Sequence, residues 1–204
     1  MKKSLAVFGL LFLMTACAPT PSVPVVPTPP TPVELPDLQS YHNLPHGFSF
    51  QYPSEWGFGN ADSGYSNLEE KIVQLELPQS AYPGTNFGDA AFTVSAEATD
   101  SLEKCLNLQS GAERQDAFDS KNLVVVDGVN YYKSEGVGAA AGNTYENKTY
   151  RAYQDTFCFE IAETLHTSNI GNYDPGTVTE VDEDAVWERL DAIFQSFVFD
   201  ATGK

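Results

Sequence analysis

The side chains able to do chemistry are few and scattered. There are three cysteines (Cys17, Cys105, Cys158) and three histidines (His42, His46, His166) among many carboxylates. His42 and His46 stand four apart, a metal-ligand spacing on a helix, but Pro45 between them argues against a helix. Both read as surface polarity. His166 ends an apolar run with no nucleophile placed beside it by the sequence. No carboxylate pair is singled out as an acid/base couple, whose separation only the fold sets. Gly-x-Ser-x-Gly, His-Glu-x-x-His, Cys-x-x-Cys and the Walker loop are all absent. Gly136 to Gly142 is glycine-rich but lacks the Lys-Ser/Thr ending of a phosphate loop, and reads as a loop or a tightly packed strand. Asn172, Asp174 and Glu183 are weak calcium candidates. The loop glycine, Gly176, comes one position early and Pro175 disturbs the turn, so capping and solvation explain these acids better. Phe48, Tyr52, Trp56 and Trp187 read as core packing ahead of a ligand pocket. No catalytic residue, metal or cofactor is assigned.

Cys17 has a specific context. Lys2 and Lys3 precede ten apolar residues, Leu5 to Met14. That run is too short for a bilayer-spanning helix, which takes roughly 20 residues, and fits the core of an export signal. Met14-Thr15-Ala16-Cys17 resembles the lipobox of bacterial lipoproteins: an apolar residue, two small ones that let the signal peptidase approach, and a thiol that takes diacylglycerol. Two or three acyl chains hold a protein stably on a membrane. Eight of the 13 prolines then fall between Ala18 and Pro36. Each fixes φ and lacks an N–H, so polyproline II is expected, reaching at most roughly 60 Å.

The expected organisation is a signal peptide over 1–16, a lipidated cysteine and spacer over 17–36, and one folded domain over 37–204. Cleavage would remove Lys2 and Lys3, leaving nine basic residues against 28 acidic ones, a net charge of −19. Such a surface repels phosphate backbones and anionic lipid. Nucleic acid is therefore excluded as a partner, and membrane contact is expected through the anchor alone.

The elements that must position these residues follow from periodicity. Phe48, Phe50 and Tyr52 alternate up to Pro53. Val73, Leu75 and Leu77 alternate within Ile72–Leu77, and Phe92, Val94 and Ala96 mark a third strand. Asp100, with Glu103 three residues on, reads as the cap of a short helix whose core side is Leu102, Cys105 and Leu106. Asp127-Gly128 between β-branched residues predicts a hairpin. Tyr145–Tyr153 and Phe157–Leu165 read as longer strands. A helix is expected over about 182–194, with Val186, Leu190, Ile193 and Phe197 on its buried side and acids at its positive end. Phe197 to Phe199 would form a short terminal strand. This is an α+β pattern, an antiparallel sheet flanked by helices.

If Cys17 carries lipid, two thiols remain in an oxidising compartment. Cys105 lies on the short helix, and Cys158 on the strand face opposite Phe157 and Phe159. A helix over that strand would bring them together, so a Cys105–Cys158 disulfide is expected, closing a loop of about 54 residues.

The opening FSFQYPSEW (Phe48 to Trp56) resembles that of PsbP-like proteins, the superfamily of the photosystem II extrinsic subunit and Mog-type proteins. So does the subsequent order: aromatic-rich strand, short helix at Ser101-Leu102-Glu103, Val-Asp-Gly hairpin, Tyr-rich strand and final helix into Phe197-Val198-Phe199. The resemblance covers roughly 41–199. It implies an α/β/α sandwich and little about function, since its motifs are packing motifs. The expected function is a non-enzymatic, lipid-anchored binding or assembly protein on the extracytoplasmic face of the cell envelope, with another envelope protein as a candidate partner. The alternatives are an envelope hydrolase using carboxylates and a calcium-dependent binding module.

Overall fold

The computed structural model describes residues 37–60, 66, 68–108, 118 and 122–200. The signal, Cys17 and the spacer lie outside them. The described residues belong to one compact unit, and no helix among them is long and apolar enough to cross a membrane.

Ten strands form two antiparallel sheets. They are β1 (Leu38–Asn43), β2 (Phe48–Pro53), β3 (Gly57–Phe58), β4 (Glu70–Leu77), β5 (Phe87–Ala98), β6 (Leu123–Val126), β7 (Val129–Ala140), β8 (Asn143–Gln154), β9 (Phe157–Ser168) and β10 (Val198–Phe199). The large sheet runs β3-β4-β5-β9-β8-β7-β6 and the small one β1-β2-β10. The alternation of FSFQYP turns Phe48, Phe50 and Tyr52 toward the large sheet. Phe50 meets Phe92 at 5.2 Å between ring centroids, and Phe48 meets Phe159 at 6.1 Å. Phe197 stacks on Phe48 at 5.0 Å, tying the chain's last strand to its second.

Helix α2 (Glu183–Gln195) lies beside the small sheet. Its buried residues Val186, Leu190, Ile193 and Phe194 recur at helical spacing and face the core. Phe194 stacks on Tyr150 at 3.9 Å. The Asp182 side chain accepts from the Ala185 N–H, and Glu183 and Asp184 occupy the first turn, where the helix dipole favours negative charge. The hairpin turn is at Asp127 and Gly128, with φ of 47° and 76°; two left-handed residues in sequence are what a type I′ turn requires.

Two expectations need correction, the helix cap and His46, and the distribution of helices is a separate observation. The helix before residue 110, α1 (Leu102–Asn107), is capped by Ser101, whose side chain accepts from the Lys104 N–H, and not by Asp100. His46 is not surface polarity: its ring is mostly buried, edge-on to Phe157 at 5.2 Å and 3.0 Å from Glu70. Helices do not line both sheet faces evenly. One face is shared between α2 and the small sheet, and on the other the described helix is the six-residue α1, packed on β8 and β9.

That seat is firmly made. Cys105 and Cys158 are joined by a disulfide, with Cα atoms 5.1 Å apart and a sequence separation of 53. Arg151, fully buried on β8, reaches the same turn. Its Nη1 donates to the carbonyls of Cys105 (2.9 Å) and Leu108 (2.7 Å), and its Nε to Glu160 (2.8 Å). The Phe118 ring lies 4.4 Å from the guanidinium carbon. In the chain-entropy view a loop of this length is worth about 4 kcal/mol at most. The Cys105→Ala/Cys158→Ala chain should lose less, about 2–3 kcal/mol in urea unfolding, because Arg151 still holds α1. Alkylation of the exported, unreduced and denatured protein should modify neither cysteine; labelling of both would contradict the bridge.

Candidate functional site

The three central strands of the large sheet have two chemically different faces. Toward α2 and the small sheet they present Phe92 and Val94 on β5, Phe159, Ile161 and Leu165 on β9, and Tyr150 and Ala152 on β8, all buried in one apolar cluster. The alternate positions carry small and polar side chains: Ala91, Thr93 and Ser95 on β5, Glu160, Ala162 and Thr164 on β9, and Asn147, Thr149 and Arg151 on β8. The register sets them side by side. Thr93 is opposite Ala162, Ser95 opposite Glu160 and Ala91 opposite Thr164, while Thr149 is opposite Ala162 and Asn147 opposite Thr164. All nine are buried.

Buried polar groups are normally satisfied, because an unpaired one costs about 1–3 kcal/mol. Here several are not. Ser95 Oγ, Thr149 Oγ1, Thr164 Oγ1 and His166 Nε2 are buried with no hydrogen-bond partner, and by strand parity all four lie on this one face. The rest of the face is partly satisfied: Thr93 donates to Gln74 at 3.4 Å, and Gln74 to Glu76. Arg151 and Glu160, 2.7 Å apart, neutralise each other at one end. At the other end His166 Nδ1 is 2.9 Å from Asp89, and its ring stacks on Tyr145 at 4.6 Å. Gly88 makes room for that ring, since a Cβ there would lie 2.5 Å from Nδ1. The charged groups at the two ends are thus paired, and the unmet capacity between them is three hydroxyls and one imidazole nitrogen.

A second polar cluster lies on the opposite face, under α2. Glu163 is fully buried and opposite Lys148. It accepts from the Tyr150 hydroxyl at 3.3 Å, while its Oε1 has no partner. Lys148 Nζ is 2.9 Å from Asp191 of α2 and 4.3 Å from the centroid of the Trp187 ring. Burial, then the neighbouring Asp191 charge, push the Glu163 carboxyl up to about 8, against the pull of Lys148 and Tyr150. The protonated acid is the form held at neutral pH.

The sequence-level candidates are spread through the fold. Cys17 lies outside the described residues. Cys105 and Cys158 meet in the bridge. Asn172 spends its amide on the Gly142 carbonyl at 2.8 Å, and the Asp174 carbonyl accepts from Thr177. Glu183 opens α2, where burial and the charges of Glu146 and Glu180 raise its carboxyl. Among the described residues no group of three His, Cys, Asp or Glu side chains is placed to hold a metal ion. Phe48, Tyr52 and Trp56 are core, and Trp187 packs against it. Apolar alternation does not mark the polar face; the same period of two, applied to Thr93/Ser95, Ala162/Thr164 and Asn147/Thr149, does.

No family model matches the chain, and no curated protein matches it in sequence. Solved structures similar in chain path include a protein of Bacteroides thetaiotaomicron, 13% identical over 81% of this chain with a TM-score of 0.49. This chain spans about half of that protein, 49% of its length. The cyanobacterial PsbP protein CyanoP of Synechocystis is 12% identical, with 83% of this chain and 96% of that one covered and a TM-score of 0.37. LpqN, described as involved in cell envelope biogenesis of Mycobacterium tuberculosis, is 12% identical, with 81% and 91% covered and a TM-score of 0.45. These likenesses are too loose to assign a family or an activity.

The Glu163 cluster makes stability depend on pH. Folding raises this carboxyl from its ordinary 4.5 to about 8, so across that window the folded state keeps a proton that the unfolded chain releases. The contribution is complete below about 4.5 and is lost as pH rises toward 8. Glu163→Gln removes the titration and keeps a neutral group of similar size. Between pH 5 and pH 9 the wild type should lose on the order of 2 kcal/mol more than the variant in urea unfolding. Parallel pH profiles for the two would contradict a buried, protonated Glu163.

Proposed function

We propose that this chain is a lipid-anchored, non-enzymatic binding module of the cell envelope, held at the membrane through Cys17. The proline-rich segment 18–36 sets the domain off from the surface, and the polar face of the central strands takes the ligand. The observation that carries the binding role is the set of four buried, unpartnered polar atoms on that face. The three hydroxyls among them could each be replaced by a hydrogen-free or apolar side chain of similar shape, which would remove the cost of burying them unpaired. Three unpaired hydroxyls on adjacent strands of one face are a stability penalty that a ligand site can carry. The anchoring role rests on the lipobox pattern at Met14–Cys17.

Two experiments test the two halves. Labelled fatty acid should appear on the wild-type protein and vanish on Cys17→Ser, which should then leave the membrane fraction. A wild-type protein that stays unlabelled and washes off in mild salt would defeat the anchor. For the face, native mass spectrometry of protein purified from envelopes should show a bound small polar molecule on the wild type. The Thr149→Val/Thr164→Val chain should lack it while melting at the same or a higher temperature, by about 1–3 kcal/mol in stability. Bare protein in both samples would mean that the hydroxyls hold water alone.

A further inference from the structure

Among the described residues, the long hairpin of β7 and β8 leaves much of one edge of the large sheet without a neighbouring strand. β6 pairs with only the first four residues of the twelve-residue β7, Val129 to Tyr132. The Lys133 N–H adds one more bond outward, to the Asn122 carbonyl at 2.8 Å. Beyond it, no strand among the described residues pairs with the outer side of β7, and 137–140 are exposed, Val137 to 74%.

The direction of each backbone group follows from the two hairpins. Val126 is opposite Val129 across a two-residue turn, so Val129, Tyr131 and Lys133 point their N–H and C=O toward β6. Ala140 is opposite Asn143 across the other two-residue turn, so Ala140, Gly138, Gly136 and Ser134 point theirs toward β8. Both parities agree, and they leave Glu135, Val137 and Ala139 with outward backbone groups that no strand among the described residues pairs. Water can hydrate such a row, but another strand matches it group for group. The devices that usually protect an edge are missing here. From Ser134 to Gly142 there is no proline and no lysine, and the charge of Glu135 is taken up by Lys133 on its own strand at 2.5 Å.

We propose that two copies of this chain join through the outer edge of β7, antiparallel about a two-fold axis at Val137. In that register each outward residue meets an outward residue. Val137 faces its twin, Glu135 faces Ala139 of the second copy, and Gly136 faces Gly138. The close, non-hydrogen-bonded positions therefore fall on glycines, where no side chains collide. Two exposed valines cover each other, and no charge faces a like charge, which matters in a chain of net charge −17. About six backbone hydrogen bonds form, and the two large sheets become one continuous sheet. The interface is smaller than the ~800 Å² per partner of a typical stable complex. Pairing is thus weak between free copies and is favoured where copies are concentrated on one membrane.

The test is crosslinking of the full-length protein in intact cells. In a hydrogen-bonded antiparallel pair the facing Cβ atoms are about 5.5 Å apart, so Val137→Cys with a short bis-maleimide should give a species of twice the chain mass. Val125→Cys, on β6 and 58% exposed, should give little. Adding Ala139→Pro to Val137→Cys removes one outward N–H and leaves the ladder to β8 intact; it should cut the dimer yield about fivefold or more. A cooperative urea-unfolding transition of each purified variant, matching the wild type in steepness, reports that the domain is folded. The proposal falls if folded Val137→Cys gives no dimer, if Val125→Cys matches it, or if Ala139→Pro leaves the yield unchanged. It also falls if the adduct has the mass of this chain plus a different protein.

Discussion

Arg151 is the residue around which the second face of the sheet is arranged. A guanidinium cannot be buried without compensation, since removing an ion from water costs several kcal/mol even after relaxation. At Arg151 the compensation comes from Glu160 on the neighbouring strand, two carbonyls at the end of α1, and the Phe118 ring, although Nη2 meets Glu160 as an ion pair without a hydrogen bond. Both carbonyls lie at the end of α1, where the Cys105 carbonyl takes only a long bond from the Leu108 N–H at 3.4 Å. The charge and the helix end thus satisfy each other. The disulfide fixes the same turn covalently, so α1 is held by two independent means at a place where six residues alone would not stay helical.

This arrangement fixes what the remainder of the face can be. With Arg151 and Glu160 neutral as a pair, and His166 against Asp89 at the far end, the strip between them needs no countercharge. Its residues could have been valine and isoleucine, as on the opposite face of the same strands. They are instead serine, threonine, asparagine and alanine. On β9 the contrast runs within one strand, where Ile161 and Leu165 face the aromatic core while Ala162 and Thr164 face away. A β-branched hydroxyl residue keeps the strand backbone content and adds a polar atom at little cost in shape. The sheet therefore carries two buried faces with unrelated chemistry, one an aromatic and aliphatic core and one a polar strip.

Much of this was legible beforehand, and the reasons differ by element. The aromatic alternation of Phe48–Tyr52, the Asp-Gly hairpin and the 4-3-4 spacing ending α2 depend on local rules, and the structure follows them. The Cys105–Cys158 bridge was legible because the compartment and the element order left few options. What escaped depends on neighbours far away in sequence. Strand β1 has too little apolar character to read as a strand and exists because β2 pairs with all six of its residues. His46 is buried because the rings of Phe157 and Phe159, more than 100 residues later, close over it. The four unpartnered atoms of the polar face come from three strands and become a set only through register.

The two clusters of unmet polar capacity also differ in kind. Glu163 solves its isolation by keeping a proton, so burial converts a charge into a neutral acid and the cost appears as a dependence on pH. Serine and threonine have no such exit, because a hydroxyl is already neutral at every accessible pH and can only be hydrated or bonded. Unpaired hydroxyls are therefore better evidence of a missing partner than an unpaired carboxyl of similar burial. By that criterion the face bearing Ser95, Thr149 and Thr164, with three such hydroxyls against the lone Tyr131 hydroxyl beside Phe194 of α2, has the stronger claim to the ligand proposed above.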